Sequence, residues 1–219
     1  MDYRFKTLPV TYILLFLNIV VYIMLMLFGG SQNSAVLITF GANYAPLVIS
    51  GQIWRLVTAM FLHAGLEHLV FNMMTLFVLG AYIEPLLGSG RFLAAYLLSG
   101  LGGGIFSFAL NKGLSVGAST ALFGLFGVYL MFGESFRQNP YIKMMARQFL
   151  ILVVINLGLD LFDSSIDIWG HIGGLLAGFL SAYVLGVPKL GNVARHKRII
   201  SAAAFIIIYT IIFKIGFIN

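Results

Sequence analysis

The sequence predicts an all-α polytopic membrane protein, and three observations carry that prediction. Hydrophobic residues make up 60% of the 219-residue chain and charged residues only 9%, against roughly 25% charge in an ordinary water-soluble domain. The mean hydropathy is +1.00. The apolar runs are long enough to cross roughly 30 Å of hydrocarbon, which takes about 20 helical residues. The chain contains no cysteine, which removes disulfides and thiolate metal sites. Its pI of 9.7 reports membrane topology rather than nucleic-acid binding, because basic residues of membrane proteins collect on the inner side.

Seven spans follow in order, within a chain read as one membrane domain over residues 1–219. Residues 1–9 form a basic N-terminal segment. The first span, Val10–Gly29, is an apolar run too long for a cleaved signal peptide. Residues 31–65 make a long connection of mixed polarity. The next spans are Leu66–Leu87, Phe92–Leu110, Val116–Gly133, Met145–Leu161 and Ile168–Leu185, so that residues 10–186 hold a six-helix core. A basic linker, "VPKLGNVARHKR" at 187–198, leads to a seventh span, Ile199–Phe217, within the last segment, 199–219. No internal repeat or low-complexity tract interrupts them.

Orientation follows from the basic residues. With the N-terminus inside, Arg4, Lys6, Arg91, Arg137, Lys143, Arg147, Lys189, Arg195, Lys197 and Arg198 fall on the inner side. Only Arg55, Lys112 and Lys214 fall outside, together with the acidic stretch of Asp160, Asp163 and Asp167. The positive-inside rule then expects a cytoplasmic N-terminus and an outer C-terminus. With no recognisable transit segment, few soluble extensions and no cysteine, the expected location is a bacterial plasma membrane.

This topology restricts which polar residues can meet. The second, fourth and sixth spans all start at the outer face. His68 and Asn72 lie in the first turns of the second span, Ser119 about one turn into the fourth, and His171 one turn into the sixth. At about 1.5 Å rise per residue they share one shallow level. Polar side chains inside spans are costly and face a protein interior or a cavity.

Each has a structural reading beside a chemical one. In "GASTALFG", Ser119 and Thr120 taken alone serve helix packing, as small hydroxylated residues do in membranes. His171 is harder to assign to packing. In "GHIGGLLAGF", Gly170, Gly174 and Gly178 form a GxxxGxxxG ridge, and Gly117, Ala121 and Gly124 offer a matching small-residue face. Such ridges let two backbones approach closely, which would bring His171 against Ser119 as a general base toward a nucleophilic hydroxyl. Phe123, four residues after Ser119, projects from the same face and can support the imidazole. His68 and Asn72, also four apart, are either an interhelical hydrogen-bonding pair or donors to a developing oxyanion. The Ser119 amide near a helix N-terminus is a further donor.

Other chemistries fit less well. "HAGLEH", His63 to His68, matches neither H-E-x-x-H nor its inverse H-x-x-E-H. A metal site from His63, His68 and His171 has no clear carboxylate, so no metal or other cofactor is expected. "GASTA" is not the G-x-S-x-G elbow of soluble hydrolases. No acidic residue is clearly placed to orient His171, Asp167 being four residues earlier. A serine–histidine dyad fits best.

These residues resemble the rhomboid family of intramembrane serine proteases. Trp54–Arg55 is similar to the family's "WR" motif in the large first loop, and "HAGLEHLVFNM" to its H-x-x-x-x-H-x-x-x-N segment, matching His63, His68 and Asn72. "GAST" at Gly117–Thr120 resembles its G-x-S-x motif, and "GHIGGLLAG" its G-H-x-x-G-x-x-x-G motif. The set runs in the family's order from Trp54 to Gly178. The resemblance implies a six-helix bundle plus one extra C-terminal helix, with a first loop partly in the outer leaflet. It implies cleavage of other membrane proteins' transmembrane segments, without metal or ATP, with Ser119 as nucleophile and His171 as base. His68, Asn72 and the Ser119 amide would stabilise the oxyanion, while Arg55, Glu84 and His63 would be structural. Substrate would enter laterally between the second and fifth spans and present small residues at the cut.

Two departures from the family pattern stand out. Thr120 follows the serine where glycine is common, and Phe123 replaces a tyrosine. Neither removes a catalytic group. Two other classes remain open from the residues: a small transporter using intramembrane histidines, and a non-catalytic member that grips transmembrane segments. The first expects polar groups along a path to the inner side, where the spans offer few. The second needs no reactive serine.

Overall fold

The computed structural model describes residues 8–218, so Arg4 and Lys6, which contribute to the expected orientation, lie outside the described residues. Among the described residues ten helices follow one another: α1 (Pro9–Leu27), α2 (Ser34–Thr39), α3 (Ala45–Ile49), α4 (Arg55–Thr58), α5 (Leu66–Leu87), α6 (Ser89–Leu110), α7 (Ser119–Ser135), α8 (Pro140–Asp160), α9 (Ile168–Leu185) and α10 (Arg195–Ile215). A 3-10 turn, Ala59–Phe61, joins α4 toward α5. Among the described residues no β-strand forms. The molecule is an all-α, polytopic integral membrane protein: a six-helix bundle with an added C-terminal helix.

Six helices, α1, α5, α6, α8, α9 and α10, are long and apolar enough to cross a membrane. The remaining expected span, α7, has only 17 residues, about 26 Å of helix. It is the centre of the bundle, with Leu125, Val128, Tyr129, Met131 and Phe132 fully buried. A helix apolar on every side belongs inside a protein rather than on its surface. It packs against α5, α6, α8 and α9.

Local signals explain most boundaries. Gly65 and Gly88, with φ of 96° and 79°, bracket α5. Asn139 caps α8 by accepting from the amides of Tyr141 and Ile142, and Pro140 occupies the first helical position, where its missing N–H leaves no bond unmade. This helix therefore starts before the expected Met145 and takes in Lys143 ahead of the apolar run. The last helix likewise begins at Arg195 rather than Ile199. The fourth span starts later than expected, at Ser119 instead of Val116. Gly117 has φ +126° and donates its amide to the Ala59 carbonyl (3.0 Å), a conformation that no helix continues.

Glu84 joins helices across the chain. Its carboxylate, 2% exposed, accepts from the amides of Val10 (3.1 Å) and Thr11 (2.9 Å) and the hydroxyls of Thr11 (2.6 Å) and Ser89 (2.7 Å). It satisfies two of the unpaired N–H groups at the start of α1 and places a negative charge at that helix's positive end. Leu8 supplies no side-chain cap, so the cap comes from 73 residues away.

The connection between α1 and α5 is built around Arg55, 5% exposed. Its Nη1 donates to the carbonyls of Ile38 (2.7 Å) and Ala42 (3.0 Å), and Nε to Gln52 Oε1 (2.8 Å). One guanidinium thus holds α2, the turn that follows it and α4 in a single folded loop. Neighbouring Trp54 is exposed.

The seventh spanning helix, α10, packs on α9 and α6. Tyr209 Oη donates to the Gly173 carbonyl (2.6 Å), and its ring lies against Phe106 and Phe205. At the other end, Glu134 of α7 accepts from Lys197 Nζ (2.7 Å) and from the Tyr183 hydroxyl, tying α7, α9 and α10 together.

Candidate active site

The site rests on how closely α7 and α9 approach. A Cβ on Gly174 would lie 1.9 Å from the Thr120 carbonyl oxygen, and one on Gly178 would lie 1.8 Å from the Gly124 carbonyl oxygen. Only glycine permits backbones this near. The two contacts share one sequence offset, so the helices run parallel and in step. Continued toward the helix starts, this pairing brings His171 to the beginning of α7, where its ring meets Phe123.

Ser119 is the first residue of α7, not one turn in as its sequence position suggested. Its amide is among the first-turn N–H groups that have no intrahelical acceptor. The preceding residues are pinned to the first loop. Asn43 and Ser115 exchange backbone hydrogen bonds (3.0 and 2.9 Å), Asn43 Nδ2 donates to the Gly104 carbonyl (2.9 Å), and Gly117 N donates to Ala59 O. Ala118 N faces His63 Nε2 at 3.5 Å.

Gly117 needs to be glycine twice over. Its positive φ disfavours any other residue, and a Cβ there would lie 2.7 Å from both Nε2 and Cε1 of His68 and 3.6 Å from Ser119 Oγ. The small space above Gly117 is therefore bounded by His68 and the serine hydroxyl. His68 Nδ1 accepts from the Ala64 amide (3.3 Å). In the neutral ring this leaves the proton on Nε2, the nitrogen that faces this space. Asn72, 7% exposed, donates from Nδ2 to the His68 carbonyl (3.0 Å). Its second amide hydrogen remains for another acceptor.

His171 is held from two sides. Its ring stacks on Phe123, centroids 4.1 Å apart and planes 10° from parallel. The stack needs a ring but no hydroxyl, so Phe123 suffices. Its Nδ1 lies 2.7 Å from Asp160 Oδ2, both residues being buried. The sequence places no acid clearly to orient His171, Asp167 being four residues earlier. Asp167 instead caps α9, its Oδ1 accepting from Gly170 N (3.0 Å). Asp160 was missed because it lies 11 residues upstream on a different helix. One signal was available: an apolar helix ending in aspartate, then a short turn, then the histidine-bearing helix.

Thr120 fits behind the serine because its neighbours lack side chains. A Cβ on Gly103 would come within 2.6 Å of the Thr120 side chain and one on Gly170 within 2.9 Å. Glu84 sits at the end of α5 far from His68, and Gly178 meets Gly124 farther along α7.

His63 is fully buried. Burial pushes its imidazole down to about 3, with the nearby His68 adding to the effect and the Phe61 backbone opposing it. The folded-state value lies below the ordinary 6.5, so between the two values the native state holds fewer protons than the unfolded chain. The stability carried by neutral His63 is then complete above about pH 6.5 and is lost progressively as pH falls toward 3. Melting in detergent is expected to weaken from about pH 7.5 to about pH 4.5. The drop will be smaller in His63→Gln, whose amide oxygen still accepts from Ala118. An equal drop in both would show that His63 contributes nothing to it.

Fold and site together define a polytopic helical membrane protein with a serine and a histidine at the same end of two glycine-packed helices. The Rhomboid domain profile matches residues 50–188, and the chain belongs to the rhomboid family. It is 41% identical to the Rhomboid protease GluP of Bacillus subtilis over 196 residues, covering 90% of this chain and 38% of that protein. It is 39% identical over 158 residues to the RHOMBOID-like protein 6, mitochondrial, of Arabidopsis thaliana, covering 70% and 50% respectively. It is also 37% identical over 139 residues to the Putative rhomboid protease YdcA of Bacillus subtilis, covering 63% and 69%. The chain thus spans half or less of the first two relatives' length.

Proposed function

We propose that this protein is an intramembrane serine endopeptidase that cuts transmembrane segments of other membrane proteins. The observation that carries the reading is the in-step approach of α7 and α9, which sets His171 level with the residues at the start of α7. Ser119 Oγ attacks the scissile carbonyl while His171 Nε2 takes its proton. The oxyanion accepts from the Ser119 amide, His68 Nε2–H and the free Asn72 amide hydrogen. His171 then passes the proton to the leaving amine as the C–N bond breaks. Water, deprotonated by the same imidazole, attacks the acyl-enzyme and releases the second fragment.

The expected setting is a bacterial plasma membrane, with the N-terminus cytoplasmic and the site toward the outer face. The whole chain acts as one membrane domain. Substrate enters between α5 and α8. Both pack on α7, and they face each other through the Tyr82 and Phe149 rings, 5.9 Å apart. Their outer surfaces, including Phe71, Met74, Val154 and Leu159, are exposed and apolar, as lateral entry from lipid requires.

The test is intact-mass labelling of purified protein by a fluorophosphonate, followed by a reporter with small residues near the outer end of its transmembrane segment, in proteoliposomes. A single adduct and specific cleavage are expected. No adduct and no cleavage by folded protein, in bilayer as in detergent, would overturn the proposal in favour of a binding role.

A further inference from the structure

We propose that Asp160 is a positioning residue that holds His171 in the orientation and tautomer the serine needs; this rests on the protease reading above. Three observations place it. Asp160 is the last residue of α8, yet it is only 8% exposed, and a buried carboxylate is retained only with a partner. Its Oδ2 is 2.7 Å from His171 Nδ1, the short distance of a charge-assisted bond. The nitrogen it engages is Nδ1, which leaves Nε2 as the one available to Ser119.

The chemistry follows from which nitrogen holds the proton. A carboxylate only accepts hydrogen bonds, so it fixes the neutral imidazole with its proton on Nδ1 and its lone pair on Nε2. That tautomer is the one able to take a proton from Ser119. A free imidazole tends to carry its proton on Nε2 and would meet the serine with a donor. When Oγ bonds to the substrate carbonyl carbon, its proton moves to Nε2 and the ring becomes an imidazolium. Asp160 keeps its own charge, receives no proton, and stabilises that cation across the Nδ1–H bond. The Nε2 proton then leaves with the amine. Phe123 sets the ring plane and Asp160 sets its rotation and tautomer, from opposite structural elements.

The other groups near the ring do not substitute for it. Asp167 is engaged through Oδ1 with Gly170 N. His68 accepts at Nδ1 from Ala64 and can only donate from its other nitrogen. This contact also gives the α8–α9 turn a role. α8 makes few contacts with α9 along its length, and Asp160–His171 ties the outer end of the loosely packed α8 to the base.

The test reads tautomer and turnover separately. Protein with ¹⁵N-histidine is compared by NMR with Asp160→Ala, using His171→Gln to identify the His171 signals. The parent is expected to carry the neutral-ring proton on Nδ1, and Asp160→Ala to shift it toward Nε2. In proteoliposomes, Asp160→Ala is expected to lower kcat by about 10²–10⁴-fold with KM little changed, and fluorophosphonate labelling to slow in parallel. A purely structural contact would not move the tautomer. A parent His171 protonated on Nε2, or a folded Asp160→Ala with parental kcat, would overturn the proposal. Failure of the protease reading is distinct: the parent itself would neither label nor cleave, while the tautomer measurement would still decide whether Asp160 governs His171.

Discussion

Ser119→Ala is expected to abolish fluorophosphonate labelling and to lower reporter cleavage by about 10⁴-fold or more, with the melting temperature unchanged. The two halves of that expectation have separate causes. In the proposed mechanism the Ser119 hydroxyl forms the acyl bond, so its loss removes the nucleophile. Its removal alters little else, because Ser119 begins α7 without capping it. The helix is preceded by Ala118, which makes no side-chain cap, and the turn before it is held by backbone bonds to Asn43 and Ala59. His171→Ala makes a useful contrast. It removes the proposed base, but it also removes the ring stacked on Phe123 and leaves Asp160 buried without its partner. An unpaired buried carboxylate is strongly destabilising, so this variant is expected to lose stability as well as activity. Residual cleavage near the parent level in Ser119→Ala would remove the serine from the mechanism.

Gly178→Ala is expected to be the most disruptive single-methyl change, costing about 3 kcal/mol or more, at or beyond the usual overpacking range. Its new Cβ would sit 1.8 Å from the Gly124 carbonyl oxygen and 2.4 Å from that carbonyl carbon. The obstacle is backbone, not a side chain that can rotate away. The helices must separate, and their separation moves His171 from Ser119, so activity falls with stability. Gly158→Ala in α8 is the control, since a Cβ there meets nothing within 4 Å. It gains helix propensity of up to about 1 kcal/mol. Thermal unfolding of both variants in the same detergent decides the matter: equal melting points would show that the glycine contact is dispensable.

The added helix, whose role the sequence left open, supports the same contact from behind. Tyr209 bonds the Gly173 carbonyl two residues past His171, and a Cβ on Gly102 would meet both Ala177 and Tyr209. α6, α9 and α10 therefore meet through small residues and one tyrosine, and α10 holds α9 against the bundle.

The amino-acid sequence by itself determined the class, the order of the long helices and which polar residues stand out within them, because each depends on signals within a few neighbouring positions. Hydropathy over some 20 residues marks a span. Gly65 and Gly88 end α5, and Asp167 and Gly186 end α9, at the residues expected. Ser119, His171, His68 and Asn72 stood out because polar groups are costly where they occur. What only the tertiary structure decided depends on partners distant in the chain. The true start of α7 is set by Ala59 and Asn43, the cap of α1 by Glu84, the histidine's carboxylate by Asp160, and the placement of α10 by Gly102 and Gly173. Hydrogen bonds of this kind carry no periodicity and no local propensity. A donor 73 residues from its acceptor leaves no local trace, and the pairing exists only once the helices have packed.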